Sequence, residues 1–463
     1  MSRARPRRTD RAARHPAAPS ADGAPGLAAR QAAARLLAAV VDARTPLDAL
    51  TDAENGHPQY RALSPRDRLL VRAIVVSALR HRVTITRMIE GRLERPLPAK
   101  ARTLMHVLHV GAAQLFFLDV PDRAAVDLAV AHAKADPRTA RFAALVNAVL
   151  RGLQRGRDEA LPRMLAETRD APDWLIERLT AAYGAATADA VLAAHREPPP
   201  TDFTVRADAA AWAARLGGIV LPTGSVRLAE LPGPVAGLPG YAEGAWWVQD
   251  AAAALPARLL GPVDGLAVLD LCAAPGGKTA QLAAAGARVT AVDRSTNRLA
   301  RLEANLARLD LAAETVAADA LVYRPDAPFD AVLLDAPCSS TGTIRRHPDV
   351  AWTKTPADIA TLAELQGRLL AHAVTLVRPG GAVVFANCSL DPAEGEDLLE
   401  AFLASPAGAT VALEPVAADE VPGIAPFVTA QGTLRTTPAG MPGTTARLSG
   451  LDGFFAARLR RMA

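Results

Sequence analysis

Two cysteines stand in surroundings that suit covalent catalysis. Cys338 lies in Asp335-Ala-Pro-Cys-Ser-Ser-Thr-Gly342, and Cys388 in Phe385-Ala-Asn-Cys-Ser-Leu-Asp-Pro-Ala-Glu-Gly-Glu396. Each follows a short apolar run of strand type. A thiol becomes a nucleophile as its pKa falls from about 8.5, which a helix N-terminus promotes. Asp391-Pro392-Ala393-Glu394 has the form of a capping box with Pro392 at the first helical position, and would set Cys388 just before a helix dipole. A third motif, Cys272-Ala-Ala-Pro-Gly-Gly-Lys-Thr279, is a glycine turn. It is neither a Walker loop, since position 272 is Cys, nor GxGxxG. Adjacent glycines let backbone approach a ligand closely, and Asp293 comes where an acid can take a ribose diol. Ribose without pyrophosphate points to S-adenosyl-L-methionine. Two thiols beside a methyl donor suit methylation of cytosine at C5. That carbon is a poor nucleophile until a thiolate adds at C6; loss of the C5 proton later expels the thiol. Asp335, as an acid near N3, would help the ring accept the thiolate.

The elements that must position these groups follow from hydrophobic periodicity. Ala267–Leu271, Arg288–Val292, Thr315-Val316, Ala331–Leu334 and Gly381–Phe385 read as strands. A helix from Thr279 to Ala285 and a stripe of Leu299, Leu302, Leu306 and Leu309 alternate with them. This predicts a doubly wound, mostly parallel sheet, whose ligands sit at the carboxyl ends of strands. Asp293, Asp319, Asp335, Cys338 and Cys388 all fall at such ends.

The rest of the chain divides by composition. Residues 1–27 are rich in Arg, Pro and Ala without periodicity and read as a disordered basic tail. Residues 28–155 read as an all-α bundle: Leu36, Leu37, Val40 and Val41 share one helical face, and Ser64-Pro65 caps a helix carrying Leu69, Leu70, Ile74, Val75, Ala78 and Leu79. Residues 156–245 read as a connecting α+β region, with a helix through Trp174, Leu175, Leu179 and Tyr183 and short apolar runs broken by Gly and Pro after Pro200. Residues 246–463 form the α/β domain. Trp246 and Trp247 are expected to pack in a core rather than stack on bases.

The chain has 463 residues, half of them hydrophobic and 22% charged, enough for several cores. No apolar run has the ~20 residues that span a bilayer, so no membrane role is expected. Three cysteines without a CxxC pair exclude a disulfide framework and a zinc site of that type, and His347 lacks companions at metal-ligand spacing. A reducing, cytoplasmic location, no metal and a monomer are the expectations. The net charge of +4 is concentrated in the first 30 residues, whose seven arginines face two aspartates. A nucleic-acid surface elsewhere would need spatial sorting of charge.

Val126–Lys134 and Arg141-Phe-Ala-Ala-Leu-Val-Asn-Ala-Val-Leu-Arg151 resemble the closing helices of NusB-like RNA-binding domains. The glycine turn, Asp335-Ala-Pro-Cys338 with Arg345-Arg-His-Pro-Asp349, and Leu451-Asp-Gly-Phe-Phe-Ala-Ala-Arg-Leu459 resemble the RNA cytosine-5 methyltransferases, specifically the bacterial Sun family of ribosomal RNA small-subunit methyltransferases. The resemblance covers residues 28–463. It implies a multidomain protein: an all-α NusB-like N-terminal domain, then a C-terminal Rossmann-like methyltransferase using S-adenosyl-L-methionine. It implies Cys388 as nucleophile and Cys338 as the thiol that assists product release, with Asp335 and Lys278 beside them. Cys272, Ala273, Ala274, Pro275, Gly276, Gly277, Lys278, Asp293, Arg298, Asp319 and Asp335 would line the cofactor. The partner would be 16S ribosomal RNA, naked or in an assembly particle. One departure is Asn387, where the family usually has Thr. Arg345, Arg346 and His347 are expected to meet phosphate or base. Three alternatives remain: another RNA as substrate, a DNA methyltransferase with Cys338 attacking, or a non-catalytic RNA-binding assembly factor.

Overall fold

The computed structural model describes residues 24–98 and 101–463. The basic tail expected over 1–27 lies outside these residues up to position 23, and Leu27 already opens the first helix.

The N-terminal third is helical. Helices Leu27–Ala43, Pro65–Arg80, Arg102–Phe117, Asp122–Ala135 and Ala143–Arg155 pack around Leu36, Leu37, Ile74, Leu104, Leu108, Val126 and Val146. Ser64 caps as its sequence implies, its Oγ accepting from Asp67 N. Leu69, expected on the buried face, is 72% exposed; the stripe that turns inward is Val71, Ile74, Val75 and Ala78. Gly111 allows a close crossing, since a Cβ there would meet Leu150 Cδ1 at 2.6 Å.

The helices Asp173–Tyr183 and Ala185–Arg196 lead to a small antiparallel sheet of β1 (Thr201–Val205), β2 (Ile219–Val220), β3 (Val226–Leu228) and β4 (Trp246–Val248), in the order β2-β3-β1-β4. The strand of Trp246 and Trp247 thus joins the small sheet, while the Trp247 side chain packs against Ala273, Leu299 and Leu302 of the α/β domain expected to begin at residue 246. Strand β4 pairs with β1 through Phe203 and Val248, and Trp246 packs edge-on against Phe203.

The second sheet contains β5 (Ala267–Leu271), β6 (Arg288–Asp293), β7 (Glu314–Ala317), β8 (Phe329–Asp335), β9 (Val377–Asn387), β10 (Val411–Leu413), β11 (Leu434–Thr436) and β12 (Phe454–Arg461). Its order is β10-β12-β9-β8-β5-β6-β7, with β11 on β12. Strands β5 to β9 are parallel; β10, β11 and β12 run antiparallel, and the sequence pattern did not reveal them. The chain runs outward from β5 through β6 to β7, then returns to place β8 on the other side of β5. The strand direction of travel reverses there, where such sheets open a crevice at their carboxyl ends. Among the described residues no helix is long and apolar enough to cross a membrane.

Candidate active site

Three strand ends meet at that crevice. Strand β5 ends at Cys272, whose φ of 61° turns the chain sharply toward Gly276, with φ 100°. Ala273 N then bonds to Val292 O at 3.1 Å, tying the turn to β6. A Cβ on Gly276 would lie 2.5 Å from Leu302 Cγ, so only glycine lets the turn rest on the neighbouring helix Thr296–Arg308. The next helix, Gly277–Ala284, carries Lys278 into the crevice. Its Nζ donates to Asp335 Oδ2 at 2.7 Å, where β8 ends, and sits 5.1 Å over the Phe454 ring.

The thiols meet behind this pair. Cys338 Sγ and Cys388 Sγ are 3.3 Å apart, with Ser340 Oγ 3.9 Å from the first and 3.6 Å from the second. The contact with Cys388, together with burial, raises the Cys338 pKa well above the ordinary thiol range. Cys388 lines the open cleft of about 670 Å³, together with Ala273, Pro275, Gly277, Lys278 and Asp335, whereas Cys338 does not.

The remaining expected cofactor residues flank the turn. Asp293 is buried; its carboxylate accepts from Ala274 N (3.2 Å) and Ser295 N (2.9 Å) and pairs with Arg298 at 3.3 Å. Arg298 also donates to the Ala274 carbonyl, and so braces the turn. Asp319 lies one residue past Ala318, whose N–H bonds to Asp293 O. It is exposed, accepts from Leu321 N, and is not on the wall of the cleft that holds Cys388. Cys272 packs against the sheet core, its thiol pushed up to about 12 by burial. Asp270, behind the turn, is fully buried and accepts from Thr279 Oγ1 at 2.6 Å; burial pushes its carboxyl up to about 7.

Two expectations are corrected. Pro392–Glu394 is a single 3₁₀ turn, and the α-helix Glu396–Leu403 begins only beyond Gly395. Asp391 caps the turn, but Glu394 does not reach back to it, so there is no capping box and no long helix dipole behind Cys388. Glu394 instead lies fully buried under both thiol loops. It accepts from Ser339 N (2.8 Å), Ser339 Oγ, Ser389 Oγ (2.6 Å) and Gln366 Nε2 (2.8 Å). Asn387 joins this network, donating to Gln366 Oε1 and Glu394 O and accepting from Ser389 N at 3.0 Å. All its polar atoms are used, so the departure from Thr builds the loop that carries Cys388.

Arg345 and Arg346 are likewise not set out to meet phosphate. Arg345 is 2% exposed and pairs with Asp250 (2.5 Å) and Asp452 (2.6 Å); Arg346 pairs with the same two carboxylates. Burial would raise the Asp250 pKa, but the two guanidinium charges hold it well below the carboxylate range. Gln366 and Asp250 were given no role from the sequence; Glu394 was read only as part of a capping box and Asp452 only as part of the Leu451–Leu459 segment, so none was expected to hold the thiol loops or the arginines.

The segment following Cys338 is also gripped by the helical domain. Asp349 Oδ2 accepts from Leu47 N at 2.9 Å, Arg80 donates to Arg345 O at 2.8 Å, and Trp352 Nε1 donates to Leu79 O at 3.1 Å.

Residues 257–460 match the family model described as 16S rRNA methyltransferase RsmB/F, and residues 27–155 match the NusB family. The chain is 38% identical to ribosomal RNA small subunit methyltransferase B of Sodalis glossinidius over 394 residues, covering 81% of this chain and 89% of that protein. It is 35% identical to the Cronobacter sakazakii protein of the same name over 421 residues, covering 87% and 92%. The solved structure of PH0851 shares the fold across 95% of this chain and 99% of its own, with TM-score 0.69 and 22% identity. NSun6 from Pyrococcus horikoshii, solved with SFG, covers 63% of this chain and 98% of its own at TM-score 0.53 and 19% identity.

Proposed function

The chain belongs to the RsmB/F family of 16S rRNA methyltransferases, and we propose that it converts a cytosine of 16S ribosomal RNA to 5-methylcytidine through a covalent bond between Cys388 and ring carbon C6. The observation that carries this reading is the arrangement of the thiols: Cys388 on the cleft wall beside Lys278 and Asp335, with Cys338 behind it at 3.3 Å.

S-adenosyl-L-methionine is the methyl donor of this family, and when bound it supplies an electrophilic methyl group. The residues present fit it on two counts. Gly277 puts backbone rather than a side chain on the cleft floor. Asp270 Oδ1 is a buried acceptor with no partner among the described residues, which suits a donor as strong as the ammonium of the cofactor. Ala273–Gly277, Lys278, Asp293 and Arg298 would hold it, with Asp319 at the outer edge.

The chain's own groups perform the remaining chemistry. Addition of the Cys388 thiolate forms the S–C6 bond, breaks the C5–C6 π bond and spreads its electron pair over C5, C4 and N3, making C5 nucleophilic. Asp335, which accepts from Lys278, would act with it near N3 to stabilise the ring as it accepts those electrons. Cys338 serves the release step, in which the C5 proton passes to solvent, the C5–H electron pair re-forms the C5–C6 double bond, and the S–C6 pair returns to the Cys388 sulfur. A DNA-type mechanism with Cys338 attacking fits less well, because that thiol lies off the cleft wall behind Cys388.

The test is methyl transfer from labelled S-adenosylmethionine to unmodified 16S RNA. Wild type is expected to form 5-methylcytidine, Cys388→Ala none, and Cys338→Ala is expected to accumulate a covalent RNA adduct that survives denaturing electrophoresis. An adduct formed by Cys388→Ala but not by Cys338→Ala would reverse the two roles.

A further inference from the structure

Five basic side chains line the cleft: Lys278, Arg301, Arg308, Arg346 and His347. Three are committed within their own surroundings. Lys278 is bound to Asp335, Arg346 to Asp250 and Asp452, and Arg308 to the carbonyls of Tyr241 and Trp246. The other two are held from across the cleft by the helical domain. Arg301, with 68% of its side chain exposed, donates from Nη2 to Asp52 Oδ2 at 2.8 Å. His347 Nδ1 is 3.5 Å from Asp48 Oδ2, and Asp48 is 62% exposed.

Both carboxylates belong to one short helix, Leu47–Thr51: Asp48 lies in its first turn and Asp52 caps its end. A carboxylate and a phosphodiester offer a guanidinium the same thing: anionic oxygens that accept charge-assisted hydrogen bonds. An ion pair open to water is weak and exchanges readily. An RNA strand brings many phosphates at once, and its binding is driven by release of counterions.

We propose that Arg301 is a substrate-phosphate contact of the cleft and that Asp52 is its built-in counterion, which an RNA phosphate displaces as the strand enters; His347 and Asp48 form a second, weaker pair of the same kind. This rests on RNA being the substrate. The details of Asp52 make it testable. Its Oδ1 accepts from Glu54 N (3.0 Å) and Asn55 N (2.9 Å), holding the turn, while Oδ2 alone faces Arg301. Asp52→Asn therefore keeps the turn's acceptor and removes only the competing charge.

A simple tether between domains and a displaceable counterion predict opposite signs. RNA binding by the full chain, measured by fluorescence anisotropy with unmodified 16S RNA fragments over a series of salt concentrations, separates them. Arg301→Ala is expected to weaken binding several-fold and to make the slope of log K against log salt shallower by about 0.7–1. Arg301→Lys should regain much of that loss. Asp52→Asn should tighten binding several-fold. If Asp52→Asn and Arg301→Ala both weaken binding, the pair is a tether and the proposal fails; if neither changes it, Arg301 touches no phosphate and the proposal fails too. Wild-type protein that does not bind RNA would overturn both this inference and the proposed function, whereas RNA binding without formation of 5-methylcytidine overturns the proposed reaction alone.

Discussion

Glu394 receives four hydrogen bonds from Ser339, Ser389 and Gln366, and both thiol loops hang on it. Replacing it by Ala leaves several buried donors without an acceptor, each costing about 1–3 kcal/mol. Glu394→Ala is expected to lower the urea midpoint by an amount equivalent to roughly 3 kcal/mol and to reduce kcat more than it changes KM for cofactor, because the thiols lose their register. Urea titration and steady-state kinetics check this; an unchanged kcat would mean the loops hold without it. At this scale the sequence was informative where chemistry is local. Cys338, Cys388, Asp335 and Lys278 stood out because each sits at a strand end or in a glycine turn, and the structure brings the four together. Glu394 was misread because the spacing Asp-x-x-Glu is the same whether the carboxyl bends back to its own turn or reaches under a neighbouring loop. Arg345 and Arg346 looked like phosphate ligands because their acidic partners, Asp250 and Asp452, lie roughly a hundred residues away along the chain.

Among the elements, the parallel strands were legible and the antiparallel ones were not. Strands β5, β6, β8 and β9 are buried on both faces and read as continuous apolar runs. Strands β10 and β11 have three residues each, too few to show a period. Strand β12 carries Arg458, Arg460 and Arg461, and it hides Arg458 against Glu420 and the Leu259 carbonyl. Its arginines masked a strand whose Phe455, Ala456 and Ala457 are core. The two tryptophans of β4 are buried as expected, but the pairing of their strand with β1 was not legible, because it is a non-local fact. The glycine turn makes the prediction at this level. Gly276 needs both a positive φ and the absence of a Cβ near Leu302. Gly276→Ala should lower the melting temperature and weaken S-adenosylmethionine binding at least tenfold by calorimetry, corresponding to about 1.4 kcal/mol. Binding at wild-type strength would show that the turn does not need its present shape.

For the molecule as a whole, the helical domain and the methyltransferase domain meet at the segment that follows Cys338. Trp352 belongs to two hydrophobic clusters at once, one in the helical domain and one formed with the helices Asp173–Tyr183 and Ala185–Arg196, and Arg82 lies 5.5 Å over its ring. Trp352→Ala should undock the two ends of the chain before either unfolds. Limited proteolysis is expected to release a stable helical fragment from the variant sooner than from wild type, at a cost of roughly 3 kcal/mol in the urea midpoint; identical digestion patterns would refute a coupling through Trp352. Nothing in the periodicity of either domain indicated this junction, since each side is a satisfactory core residue pattern on its own. Strand β12 has a consequence for how such a chain is made. It lies between β9 and β10 and also pairs with β11, so it is a central strand of its sheet although it follows every other strand of that sheet along the chain. While the ribosome delivers the chain, the β9 edge beside the nascent thiol loop stays bare and ready to pair with any passing strand. The thiol pair is thus assembled on an unfinished sheet, which β12 seals once it has been made.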